Sequence, residues 1–266
     1  MYTARLYTCQ ARNLCIRYTA KMTDLELLIR DRYAGDASKV TKEDEKRLAS
    51  GEPLAYVIGW VPFLGLRIDL ASKPLIPRPE TEWWTEKLIT HVKEKHGDSP
   101  FTLLDLCAGS GAIGLSVLAA FPNARVSFCE LIPEHAEQIK KNIELHNLDE
   151  SRADIRASDV FDAFEKETWD FIVSNPPYIP NTRTLENSVT DFEPNEALFA
   201  GTDGLDIISR IAREARGHLH EGGEVWVECD IENAERTKEL FVEGAACGSS
   251  LHTDLYGRPR LVIAWY

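Results

Sequence analysis

The sequence predicts an α/β fold of the doubly wound type, a mostly parallel sheet with helices on both faces, behind a small N-terminal helical segment and a β-hairpin arm. Three observations predict it. From Phe101 onward, apolar runs of strand length alternate with stretches of helical periodicity, the pattern of a parallel sheet covered on both sides. The first of these strands ends in a glycine-rich turn, Cys107-Ala108-Gly109-Ser110-Gly111, where strand passes into helix. The run Trp169-Asp170-Phe171-Ile172-Val173 reads as a buried parallel strand and feeds directly into Ser174-Asn175-Pro176-Pro177-Tyr178.

Composition bounds the answer. The chain has 266 residues, enough for one large domain with an appendage, and its 44% hydrophobic and 27% charged residues are ordinary for a globular protein. No apolar run is long enough to cross a bilayer. A net charge of −13 argues against nucleic acid as the direct substrate, because affinity for a phosphate backbone rests on Lys and Arg. The six cysteines, Cys9, Cys15, Cys107, Cys129, Cys229 and Cys247, show no paired spacing, which fits a reducing compartment and no disulfide framework. His218 and His220 stand close together without Cys or carboxylate partners at ligand spacing, so no metal is expected.

Residues 1–23 hold Arg5, Arg12, Arg17 and Lys21 and no acid, so the whole net negative charge falls on the remainder. Such a stretch reads equally as a mitochondrial transit segment or as an ordinary loose N-terminus. The first reading places the protein in the mitochondrial matrix, the second in the cytoplasm. Residues 24–73 form the small segment. Thr23-Asp24 caps a helix with Leu25, Leu28, Ile29 and Tyr33 at helical spacing, ended by Gly35, and a second helix covers Lys42 to Ala49. Pro53 to Trp60 leads into the alternating stretch Phe63 to Leu70, the predicted hairpin arm.

Residues 74–266 form the large domain. After the connector Pro74–Pro79, Glu80-Thr81-Glu82 opens a helix carrying Trp84, Leu88, Ile89 and Val92 on one face, and by pattern alone Thr81 is its cap. Strands are predicted near 101–106, 125–130, 153–157, 169–174 and 223–229, with helices near 112–121, 133–147, 204–219 and 232–244. Ser250–Tyr256 and Arg260–Tyr266, around Gly257-Arg258-Pro259, are expected to add an antiparallel edge.

The carboxyl ends of such strands are where ligands bind. Pro176 and Pro177 fix φ, remove two N–H donors and bias Asn175 towards extended backbone, so the loop is rigid and its carbonyls lack local partners. The Asn175 side-chain oxygen and the Pro176 carbonyl can each accept one N–H of a planar NH2 group, while Tyr178 covers its face. Glu130, ending the second strand, can accept both hydroxyls of a ribose. Asp159, beside Val160 and Phe161, suits an adenine, whose amine wants an acceptor and whose faces want apolar cover. Each acid alone could cap a following helix. Glycines, a ribose acceptor, an adenine slot and an amide grip at successive strand ends point instead to one cofactor site beside one substrate site.

These residues resemble the class I S-adenosylmethionine-dependent methyltransferases, and among them the HemK-type protein-(glutamine-N5) methyltransferases of peptide chain release factors. The resemblance rests on Gly51-Glu52-Pro53-Leu54-Ala55-Tyr56, Leu75-Ile76-Pro77-Arg78-Pro79-Glu80-Thr81-Glu82, Asp105 to Gly114, Asn175 to Tyr178, Phe192-Glu193-Pro194, Ala197-Leu198-Phe199 and Gly201-Thr202-Asp203-Gly204-Leu205. It implies a class I methyltransferase fold with S-adenosylmethionine on Thr81, Asp105, Cys107, Ala108, Gly109, Ser110, Gly111, Glu130, Asp159, Val160 and Asn175. It also implies a glutamine amide held by Asn175, Pro176, Pro177 and Tyr178, with Asn175, Pro176 and Tyr178 catalytic. The substrate so implied is the Gly-Gly-Gln glutamine of a class I release factor. Asn-Pro-Pro-Tyr alone resembles adenine-N6 nucleic-acid methyltransferases as well, and another protein substrate is a further alternative. The segment before Gly51 is shorter than the family's usual helical domain.

Overall fold

The computed structural model describes residues 22–266. The transit-segment reading of residues 1–23 therefore lies outside the described residues, apart from Met22 and Thr23. Thr23 caps the first helix, α1 (Asp24–Tyr33), through a capping box with Glu26. A second capping box, Thr41 with Asp44, opens α2 (Lys42–Ala49), and Asp44 also accepts from the Tyr33 hydroxyl at 2.6 Å, tying the two helices together.

The hairpin arm differs in detail from the expectation. Residues 54–58, read as a lead-in, form a short helix, α3 (Leu54–Ile58). The arm itself is β1 (Trp60–Phe63) paired antiparallel with β2 (Leu66–Asp69), so the turn falls at Leu64-Gly65, inside the stretch read as a single run. Both turn residues have positive φ, 46° and 81°, as a two-residue hairpin turn requires. A non-glycine at the first position hid that turn.

The large domain begins with α4 (Pro79–His96), which buries Thr81, Trp84, Thr85, Leu88 and Val92 at three- and four-residue intervals. Pro79 sits in its first turn and the cap position is Arg78, with no side-chain cap bond, so Thr81 does not cap this helix. Then follow β3 (Phe101–Leu106), α5 (Ala112–Ala120), β4 (Ala124–Glu130), α6 (Pro133–Leu145), β5 (Ala153–Ala157), β6 (Trp169–Ser174), α7 (Asn187–Thr190), α8 (Asp206–Glu214), β7 (Leu219–Glu228), α9 (Ala234–Glu243), β8 (Gly248–Thr253) and β9 (Pro259–Trp265). The helix expected to run to residue 219 ends at Glu214 and tightens into a 3-10 turn over Ala215–His218.

The seven strands lie in the order β5-β4-β3-β6-β7-β9-β8. The first five are parallel, and β9 runs antiparallel between β7 and β8, as the two terminal strand-like runs predicted. This is the class I S-adenosylmethionine methyltransferase fold. One face of the sheet packs Phe101, Leu103, Phe128, Phe171 and Trp226 against Trp84, Leu88 and Leu115 of the helices and against the arm residues Phe63 and Ile68. The other packs Leu104, Ile172, Val225, Val227 and Val262 against Ile208, Ile211 and Phe241. Fully burying side chains of this size is worth about 1.5–3 kcal/mol each. The chain order reverses between β3 and β6, so their carboxyl ends, Leu106 beside Ser174, open the crevice where open sheets bind ligands. No described helix is long and apolar enough to cross a membrane.

Candidate active site

Two loops meet at that crevice. After β3, Cys107, Gly109 and Gly111 take positive φ of 57°, 56° and 80°, folding the chain back so that the Gly111 N–H donates to the Ala108 carbonyl at 2.7 Å and α5 can begin. A side-chain carbon added at Gly109 would meet only Pro74, at 4.0 Å, so the turn is open on that side. One at Gly111 would press on Ile139 and Leu115 at 3.1–3.2 Å, so this glycine lets α5 and α6 close behind the loop. The Asn142 side chain of α6 bridges the Ser110 carbonyl to the backbone of Asp69, at 3.0 and 2.9 Å, which fastens the hairpin arm to the turn.

Three acids expected at the cofactor behave differently. Asp105, wholly buried, accepts one bond from the Gly114 N–H at 2.9 Å, and its other oxygen, Oδ1, is buried without a partner among the described residues. Burial pushes its carboxyl up to about 8. Glu130 is 7% exposed, accepts from the Gly109 N–H at 2.7 Å and the Ile132 N–H at 3.0 Å, and is pushed up by the same cause. Each oxygen keeps a further lone pair for a hydroxyl. Asp159 lies half exposed and pairs with Arg210 of α8 at 3.1 Å, while its neighbour Val160 is buried with φ of 46° and Phe161 stacks on His218 at 4.3 Å. Phe161 thus serves the core.

The second loop is Asn175 to Tyr178. Its frame comes from the segments around it: the Ile179 N–H donates to the Leu198 carbonyl and the Ala200 N–H to the Ile179 carbonyl, both at 3.0 Å. Gly204 passes so close to Tyr178 that an added side-chain carbon would stand 2.3 Å from its carbonyl oxygen. Glu193 accepts from the Ile76 N–H at 3.1 Å and pairs with Arg78, joining the segment before α4 to the one after β6. Asn175 Nδ2 donates to the Thr81 hydroxyl at 3.1 Å, and Asn175 Oδ1 is buried with no partner among the described residues. An unmet buried acceptor costs about 1–3 kcal/mol, a cost that a ligand's N–H removes.

One residue here is absent from the sequence-based expectations. Glu228, at the carboxyl end of β7 and 1% exposed, accepts from the Thr81 hydroxyl at 2.7 Å, the Trp84 indole N–H at 2.8 Å and the Tyr178 hydroxyl at 3.0 Å. Burial raises its carboxyl above the ordinary range and pushes the Tyr178 phenol up as well. Thr81, expected on the cofactor, has its hydroxyl engaged between Glu228 and Asn175. The structure therefore brings Thr81, Asn175, Pro176, Pro177 and Tyr178 together at one loop. Asp105, Glu130 and the Cys107–Gly111 turn stand beside it, with Asp159 farthest out in solvent contact.

Residues 82–193 match the methyltransferase small domain family. The chain is 34% identical over 238 residues to a release factor glutamine methyltransferase of Lactococcus lactis, covering 88% of this chain and 85% of the relative. The chain belongs to the release factor glutamine methyltransferase family. Another of that family, from Neisseria gonorrhoeae, is 30% identical and aligns over 99% of this chain and 95% of its own length. In fold the chain resembles the T. thermophilus 16S rRNA N2 G1207 methyltransferase in complex with AdoMet and guanosine, with a TM-score of 0.54 at 19% identity, over 77% of this chain and 49% of that one. The family's donor, S-adenosylmethionine, fits what the crevice offers: an open glycine turn, a half-used Glu130 and an Asp105 oxygen without a partner.

Proposed function

We infer that the protein methylates the side-chain amide nitrogen of the glutamine in the Gly-Gly-Gln motif of a class I peptide chain release factor, with S-adenosylmethionine as donor. The observation that carries this reading is the buried Asn175 Oδ1, unpartnered among the described residues, beside the Pro176 carbonyl on a loop that two prolines and the Tyr178–Glu228 bond hold rigid.

Bound in the crevice, S-adenosylmethionine supplies an electrophilic methyl on a sulfonium. A glutamine amide is a weak nucleophile because its nitrogen lone pair is delocalised into the carbonyl. Asn175 Oδ1 and the Pro176 carbonyl accept its two N–H bonds, which points the nitrogen in one direction and excludes other rotamers. Positive charge grows on nitrogen as the new bond forms, so both acceptors bind more strongly in the transition state than before it. Orientation of this kind is worth several kcal/mol, about 7 or more in the best-aligned systems. Tyr178, with its hydroxyl anchored on Glu228, presents its ring to the amide plane. The proton leaves after transfer, when the nitrogen is far more acidic, so no dedicated base is required.

Intact-mass analysis of a release factor incubated with the protein and S-adenosylmethionine tests this. One added methyl, absent when the Gly-Gly-Gln glutamine is replaced, is the expected result; no added mass despite cofactor binding overturns the substrate. The two readings of residues 1–23 separate by fusing them ahead of a fluorescent protein, mitochondrial signal supporting import and diffuse signal the cytoplasm.

A further inference from the structure

Asn175 can grip an NH2 group only if its oxygen, and not its own NH2, faces the crevice. The two ends of an amide have nearly the same shape, so the orientation is set by the hydrogen bonds around it. A chain of such bonds starts at Glu228. Trp84 Nε1 can only donate, and it occupies Glu228 Oε2 at 2.8 Å; the same oxygen receives the Thr81 hydroxyl at 2.7 Å. Thr81 has one proton, and giving it to Glu228 leaves only a lone pair for Asn175. The atom of Asn175 that stands 3.1 Å from Thr81 must therefore be a donor, Nδ2, and Oδ1 is left turned away and unmet.

We propose that Glu228 and Thr81 are positioning residues for methyl transfer: Glu228 polarises the Thr81 hydroxyl, and Thr81 locks the Asn175 amide with its oxygen towards the substrate. This deepens, and rests on, the reading of Asn175 as the amide grip. Neither residue touches substrate in this role. The chain runs between elements far apart in sequence, 147 positions from Thr81 to Glu228 and 94 from Thr81 to Asn175, and every member is mostly or wholly buried. Tyr178 donates to the remaining oxygen, Oε1, at 3.0 Å, so one carboxyl orders both the amide and the aromatic ring of the grip. Two other roles fit the same residues. Thr81 could be a ligand of the cofactor, or Glu228 could act through its charge on the sulfonium.

The test compares two pairs of variants in steady-state methylation of the release factor, with S-adenosylmethionine affinity measured by calorimetry on each. T81V removes the hydroxyl at constant shape, and T81S keeps it. E228Q keeps an acceptor oxygen for Trp84 and Thr81 and turns its amide nitrogen to Tyr178, which can accept; E228L removes the acceptor. The expected result is a kcat at least tenfold lower for T81V than for T81S, and for E228L than for E228Q, with cofactor affinity changed less than threefold. Equal kcat within either pair overturns the proposal. So does E228Q falling as far as E228L, the mark of a charge effect, or a T81V loss confined to cofactor affinity. If a variant does not fold, side-chain amide NMR of the wild-type protein decides: one Asn175 Nδ2 proton protected from exchange supports the lock, and two freely exchanging protons refute it. A wild-type protein that leaves release factor unmethylated removes the substrate reading, whereas the NMR result stands apart from it.

Discussion

Replacing Asn175 by alanine separates grip from cofactor binding. Among the described residues Asn175 makes one side-chain bond, to Thr81 at 3.1 Å, and leaves Oδ1 free. Truncation therefore loses one neutral hydrogen bond, about 1 kcal/mol of stability, but also removes the unmet buried acceptor and its cost of about 1–3 kcal/mol, and the Thr81 hydroxyl keeps its bond to Glu228. The catalytic loss is larger. Removing one preorganised polar partner of developing charge costs about 10²–10³ in kcat, roughly 2.7–4 kcal/mol. Here the partner also sets direction, because the Pro176 carbonyl alone lets the amide pivot about a single bond. N175A should thus retain S-adenosylmethionine affinity within about threefold, melt within a few degrees of wild type, and lose at least about a hundredfold in kcat. Calorimetry, thermal unfolding and initial rates with release factor measure the three quantities. A rate within fivefold of wild type, or a fall in cofactor affinity equal to the fall in rate, refutes the reasoning.

Further predictions concern the scaffold. A side-chain carbon at Gly114 would stand 2.3 Å from the Phe128 ring, so G114A should overpack the α5–β4 contact and cost about 1–3 kcal/mol in urea unfolding. Asp105, pushed up to about 8 by burial, binds its proton in the folded state across a range where the unfolded chain has released it, so its contribution to stability falls as pH rises from about 4 to about 8. D105N should flatten that part of the cofactor-free stability profile, and a slope unchanged from wild type would show that Asp105 ionises normally. Glu52, held down to about 2 chiefly by Arg47, contributes stability above its unfolded range that disappears as pH falls. E52Q should cost about 1–2 kcal/mol at pH 7, because solvent around Arg47 and Lys73 screens the pair, and the gap to wild type should close between about pH 5 and pH 2.

Where the physics is local, the sequence reads well. The apolar runs that became β3 to β7 carry their own period, and the glycines at 109 and 111 announce a turn because positive φ is costly for other residues. Asn175 and its prolines are one contiguous word. Partners that arrive from elsewhere in the chain are another matter. Asp159 follows β5 in the place of an adenine acceptor, but Arg210 of α8 reaches it across the loop, and nothing near either residue announces the pairing. Thr81 looked like a cap because Thr near a helix start commonly is one; Pro79 in the first turn moves the cap to Arg78 and turns the Thr81 hydroxyl inward. Glu228 did leave a trace. In β7, Val225 and Val227 face one core and Trp226 the other, so alternation assigns Glu228 to the face of Trp226. A carboxylate that the period of a buried strand drives inward must be met by donors, and one standing at the strand's carboxyl end meets them where the substrate is held.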